Sequence, residues 1–235
     1  MQVENDTLAR IGTSCLQQLL ENNVSKLSAA RWERVVTAFV KLFRTTTPHQ
    51  LFDESLRGDM EGSTPEPEAN GMILRTIPVI GDARFSYHVL DANGQAILPA
   101  PLSPSSEDPP ERMSAVDRKR IFKQIIVKCV LQLLLIEMTN DLLQNEEVYT
   151  MIPPDQLLRL MGVLDHSYQF ARMFNDDKEL RTSLWKVGFM KHLPNLLKQE
   201  SGSAATLVHV LLKMYYDPRP DHQGARGQIA DRLLP

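Results

Sequence analysis

The most constraining stretch of this chain is IIVKCVLQLLLI, Ile125–Ile136, twelve residues interrupted only by Lys128 and Gln132. A membrane span needs about 20 consecutive apolar residues, so the run is too short to cross a bilayer. It reads as part of a buried helix. The helical pattern around it extends from Ala115 to about Gln144, on the order of 45 Å at 1.5 Å per residue. Its first turns show one apolar face, Ile121, Phe122 and Ile125, whereas its middle is apolar nearly all round. Such a helix must be covered by neighbours on several sides.

Those neighbours are legible as further helices. Leu8, Ile11, Cys15, Leu19 and Leu20 follow i, i+3, i+7, i+11, i+12, an amphipathic helix ending near Asn22 and Asn23. Ser28 is placed to cap the next helix, whose stripe is Trp32, Val35, Val36, Phe39, Val40 and Phe43. The short turn between the two predicts an antiparallel hairpin. After Pro153-Pro154-Asp155, Leu157, Met161, Leu164, Tyr168 and Ala171 mark another helix. A short one follows from Lys178 to about Trp185. After Pro194-Asn195 a long one carries Leu196, Leu197, Leu207, Val210, Leu211 and Met214, and DPRP, Asp217–Pro220, stops it.

Helix pairs with short turns predict an all-α, HEAT- or armadillo-like α-solenoid segment, although no fixed repeat period is visible. We divide the chain into a helical hairpin, residues 1–52; an acidic, proline-rich insert, 53–113; a helical-repeat segment, 114–217; and a tail, 218–235. The tail text GQIADRLLP reads as the first turns of a further helix, suggesting a fragment of a longer product.

The insert differs sharply in composition. Eight of the fifteen prolines lie between Arg57 and Met113, and residues 53–111 carry 3 basic against 11 acidic groups, a net −8. It is expected to be disordered, with MILRTIPVIG and ARFSYHVLD as short β-prone segments inside it. The flanks are only mildly basic, which argues against nucleic-acid binding.

Little in the sequence suggests an assembled reaction centre. There is no glycine-rich phosphate loop, no HExxH, no GxSxG and no cysteine pair with zinc spacing. Cys15 and Cys129 are read as reduced core residues, and His166 and His209 as ordinary helix residues. No cofactor is expected. Asp176 and Asp177, in FNDDKELRTSLWKVGF, precede a short helix whose N-terminus favours negative charge.

Two groups remain as candidate contact sites. Arg118, Lys119, Arg120 and Lys123 open the long helix, where positive charge is mildly unfavourable. They are a candidate patch for an anionic membrane or an acidic partner, the alternative being a solvated face. Arg181, Trp185 and Phe189 form an aromatic-plus-arginine corner of the kind enriched in interface hot spots. The alternative there is a structural turn, with Trp185 in the core and Gly188 as a left-handed helix end.

KCVLQLLLIEMTNDLL (Lys128–Leu143), LLRLMGVLDHSYQFARMFNDDKELRTSLWKVGFMKHLPNLLKQE (Leu157–Glu200) and VLLKMYYD (Val210–Asp217) closely resemble the large guanine-nucleotide exchange factors for Arf GTPases. The likeness is to the brefeldin A-inhibited, trans-Golgi class, in the helical region downstream of its catalytic Sec-seven domain. LARIGTSCLQQLLENNV and RWERVVTAFVKLFRTTTPHQLF resemble the preceding part of that region. The resemblance implies a non-catalytic regulatory segment, because the PGEA-type loop that carries the family's catalytic glutamate is absent from this sequence. It implies partners among Arf- and Rab-type GTPases, other domains of the same exchange factor, a second copy of the chain or an anionic membrane. It also implies a cytoplasmic protein peripheral on trans-Golgi membranes. A homodimerisation scaffold without GTPase contact is the main rival, and an enzyme with an unrecognised site the minor one.

Overall fold

A computed structural model of the chain describes residues 2–56, 114–189 and 196–233. All fall within one compact unit made by the chain on both sides of the insert. The second unit, 60–112, with both β-prone segments, lies outside the described residues.

Among the described residues the structure is all α, without strands. The helices are α1 (Gln2–Glu21), α2 (Ala29–Thr46), α3 (Ala115–Gln144), α4 (Glu146–Met151), α5 (Pro154–Asp176), α6 (Lys178–Lys186), α7 (Leu196–Tyr216) and α8 (Pro220–Leu233). The boundaries follow local chemistry. Ser114 Oγ accepts from the Asp117 N–H at 3.1 Å and donates to its carboxylate, closing the first turn of α3. Asn145 ends α3 and caps α4, which the sequence pattern does not separate, by accepting from the Glu147 and Val148 N–H groups. Pro154 opens α5, where its missing N–H costs nothing. Ser28 holds the cap position of α2 but makes no side-chain capping bond.

As its all-round apolar middle requires, α3 is central, packed by α1, α2, α4 and α7. Its two polar interruptions are both accommodated. Lys128 is half-buried and donates to Gln50 Oε1 at 3.2 Å. Gln132 is fully buried and donates to the Phe43 carbonyl (2.6 Å) and Thr46 Oγ1 (2.8 Å) at the end of α2. It also accepts from Ser167 Oγ of α5 at 3.1 Å, and Ser167 in turn accepts from Gln199 Nε2 of α7 at 3.1 Å.

This chain of bonds lies at one level in all four helices and separates two apolar cores. On one side are Trp32, Val36, Phe39, Phe43, Leu135, Leu142, Leu157, Leu164, Val210 and Ile229. On the other are Leu51, Leu56, Ile125, Cys129, Phe170, Phe174, Leu180, Leu184, Phe189 and Leu196. Every helix that crosses from one core to the other does so at a polar residue. Leu56 is fully buried, so the packed part of the first segment runs past residue 52.

The helix α1 departs from its expected arrangement. It packs chiefly against α3 rather than pairing with α2. Leu16 is half-buried and Leu20 buried, whereas Leu8, Ile11, Cys15 and Leu19 are exposed. Cys15 is therefore not a core residue, a correction to the sequence reading; Cys129 is. The cause is rotational: α1 carries apolar residues on two adjoining faces, and the Leu16–Leu20 face is the one docked.

Candidate contact surface and the families it matches

The corner that follows α5 is built by two end signals. Asp177 Oδ1 accepts the Leu180 N–H at 2.8 Å, capping α6, while exposed Asp176 pairs with Arg172 at 3.6 Å. The two acidic groups are thus a helix start and a surface ion pair. At the other end Gly188 adopts φ +81°, the left-handed region open to glycine. Its N–H donates to the Trp185 carbonyl at 2.9 Å, and the Phe189 N–H reaches the Leu184 carbonyl at 3.0 Å. This pair of bonds is a Schellman motif, which reverses the chain at once.

The reversal sorts the candidate residues. Phe189 turns inward, is buried and stacks on Phe122 of α3, with ring centroids 4.0 Å apart. Trp185 turns outward and is 64% exposed, which corrects the expectation that a structural turn would place it in the core. Arg181 is half-buried; its Nε is covered and has no hydrogen-bond partner among the described residues. The three therefore do not form one open patch: Phe189 is the anchor and Trp185 the presented ring.

The Phe122–Phe189 stack brings the second candidate group to the same end of the unit. Lys119, Arg120 and Lys123 are exposed on the first turns of α3, beside exposed Val116. Arg118 is half-buried and covers its own Nε. The result is a basic turn with an apolar residue at its tip, on the helix whose Phe122 stacks against the reversal after α6.

Sequence reasoning missed a third feature, because DPRP reads only as a helix stop. Arg219 donates to Asp217 through Nε (3.0 Å) and Nη2 (2.6 Å), and through Nη1 to the Thr150 carbonyl. Tyr149 Oη donates to Asp217 at 3.1 Å. Lys213 Nζ lies 4.0 Å from the Tyr149 ring centroid and 2.7 Å from Glu146. Above them is an open groove of about 490 Å³, lined also by His209, Leu212 and Tyr216. The Arg219 bonds hold the Asp217 carboxyl well below the usual range, and burial beside that carboxylate pushes the Tyr149 phenol up. The only signal in the sequence was an Asp and an Arg two residues apart, with prolines on both sides of the Arg.

Of the remaining titratable groups, His166 is half-buried with its pKa lowered by burial, and His209 is exposed. Among the described residues no group of three His, Cys, Asp or Glu side chains is placed to hold a metal ion. No helix among them is long and apolar enough to cross a membrane.

The fold defines the class: an all-α, solenoid-like stack of helices. Residues 130–235 match the BIG2 C-terminal domain. The chain is 39% identical to the ADP-ribosylation factor guanine nucleotide-exchange factor sec72 of Schizosaccharomyces pombe, over 98% of this chain and 12% of that protein. It is 34% identical to the ADP-ribosylation factor guanine nucleotide-exchange factor SEC7 of Saccharomyces cerevisiae, over 90% of this chain and 13% of that one. Against the human brefeldin A-inhibited guanine nucleotide-exchange protein 1 the identity is 28%, over 100% of the chain and 14% of that protein. This chain is the counterpart of one region of those large exchange factors, the region that contains the BIG2 C-terminal domain. It spans only 12–14% of the length of these relatives. No solved structure matches it.

Proposed function

We propose that the chain is a non-catalytic regulatory and interaction segment of an exchange factor for Arf GTPases. The observation that carries this reading is its alignment, along 98% of its length, with a 12% slice of a protein named as such a factor. The exposed Trp185 and the basic turn of α3 support it, since they suit contact rather than chemistry. The partners are Arf- or Rab-type GTPases, other parts of the same exchange factor, and an anionic membrane surface on the trans-Golgi, approached from the cytoplasm. The mechanism is a population shift: a ligand that binds this segment better in one arrangement of the whole factor favours that arrangement at the distant catalytic domain.

The first test is nucleotide exchange on Arf with this chain alone. No stimulation is expected, and measurable stimulation overturns the non-catalytic assignment. A pull-down with activated Arf and Rab GTPases then identifies the partner class.

A second reading, a homodimerisation scaffold without GTPase contact, is favoured by the exposed stripe Leu8, Ile11 and Leu19 on α1. Light scattering separates the two. A strict monomer that captures an activated GTPase removes the scaffold reading.

A further inference from the structure

The helix α8 is held by few side chains. Of its 14 residues only His222 and Ile229 are buried. Near its far end Arg232 donates to the Leu158 carbonyl of α5 at 2.7 Å. The N-terminal anchor is thus a histidine, and its surroundings suit only one of its charge states. His222 is 0% exposed, and neither ring nitrogen has a hydrogen-bond partner among the described residues. Its ring lies against Tyr149 of α4, with centroids 5.9 Å apart.

The nearest anion is Asp217, 3.8 Å from Nε2, beyond hydrogen-bond reach. That carboxylate already accepts from Tyr149 Oη and from Nε, Nη2 and the backbone N–H of Arg219. The charged groups around the imidazole are Asp217 and Arg219 from the turn and Asp221 from α8 itself, with Lys213 of α7 over the Tyr149 ring and paired with Glu146 of α4. The closest carboxylate is therefore occupied by a guanidinium, and a second cation here would sit beside Arg219 without solvent.

We propose that His222 is a proton-sensitive latch for α8, whose neutral imidazole seats the helix and whose protonation releases it to uncover the surfaces of α5 and α7 beneath.

The direction follows from linkage. Burial, and next the Arg219 charge, lower the pKa of His222 in the docked state below the 6.5 of a free imidazole. The undocked state binds the proton more readily. The contribution of His222 to docking is then fully present above about pH 6.5 and falls as the pH drops from there toward the docked-state pKa.

The test is amide hydrogen exchange on the full chain at pH 7.5 and 5.5, expressed as protection relative to intrinsic rates. Protection in α8 is expected to fall about five- to tenfold more than in α5 at the lower pH. In His222→Phe, which keeps a ring and cannot protonate, α8 should lose no such protection. His222→Gln repeats the comparison, so that a folding failure of either variant leaves the other. A parallel NMR titration should place the His222 pKa below the 6.5 of a free imidazole. Equal α8 protection at both pH values, the same loss in the non-titrating variants, or a His222 pKa at or above that of a free imidazole would each overturn the latch.

Discussion

The rings of Phe122 and Phe189 stack with centroids 4.0 Å apart and planes 24° from parallel. One belongs to the first turns of α3, the other to the chain reversal after α6, 67 positions later in the sequence. This contact ties the helix that carries the basic turn to the reversal that follows exposed Trp185, so each can be perturbed separately from the stack.

Phe189→Ala should destabilise the chain by about 3–5 kcal/mol, because it leaves a cavity in a closed core. Trp185→Ala should change stability by only about 0.5 kcal/mol or less, as expected of an exposed position. Urea denaturation measures both. If Trp185 is a contact residue, its variant should lose GTPase capture while keeping a wild-type unfolding midpoint.

Gly188→Ala isolates the backbone. A Cβ at this position would meet nothing within 4 Å, so the only penalty is the left-handed conformation. A loss of about 1–2 kcal/mol is expected, and it should appear as weaker amide protection in the last turn of α6.

Gln132→Leu keeps the side-chain volume roughly constant and removes the centre of the polar layer. Thr46, Thr47 and Ser167 would each lose a partner. Leaving these buried groups short of hydrogen bonds costs about 1–3 kcal/mol. A neutral or stabilising effect in thermal melts would show that the layer contributes register and not stability.

Charge reversal at Arg118, Lys119 and Arg120 should weaken binding to anionic liposomes by about fivefold per charge, given roughly 1 kcal/mol for each basic group near such a surface. The dependence should fade at high salt. Unchanged sedimentation with the vesicles returns the basic turn to a solvated face.

The two cysteines should differ in reactivity. Cys15 is exposed, while burial pushes the Cys129 thiol up to about 12. An alkylating reagent at pH 8 should therefore modify one site in the folded chain and both in denaturant, as counted by intact mass. Two modifications under native conditions would contradict the burial of Cys129.

Most helices were legible in the sequence, and for a physical reason. In α2 the stripe from Trp32 to Phe43 alone decides which face turns inward, and Ser114, Asp177 and Gly188 are residues whose chemistry marks helix ends wherever they occur. Reading failed where a helix offers more than one apolar face. The pattern in α1 names Leu8, Ile11, Cys15, Leu19 and Leu20, yet of these only Leu20 is docked, and its partner on the covered face is Leu16. Periodicity says that a face is apolar, and only the neighbour says which one is covered. In α4 and α8 the signal is weak because two buried residues apiece hold each helix.

By itself, then, the sequence determined that this chain forms helices, where most of them stop, and which exchange factors it resembles. These follow from contacts a few residues apart and from sustained patterns. The tertiary structure alone decided that Gln132, Ser167 and Gln199 meet in one layer, that Trp185 is presented while Phe189 is anchored, and that His222 is sealed beside Asp217 and Arg219. Each depends on how helices distant in sequence are rotated and set against one another. That rotation is fixed by the simultaneous packing of all of them, which no single stretch of sequence records.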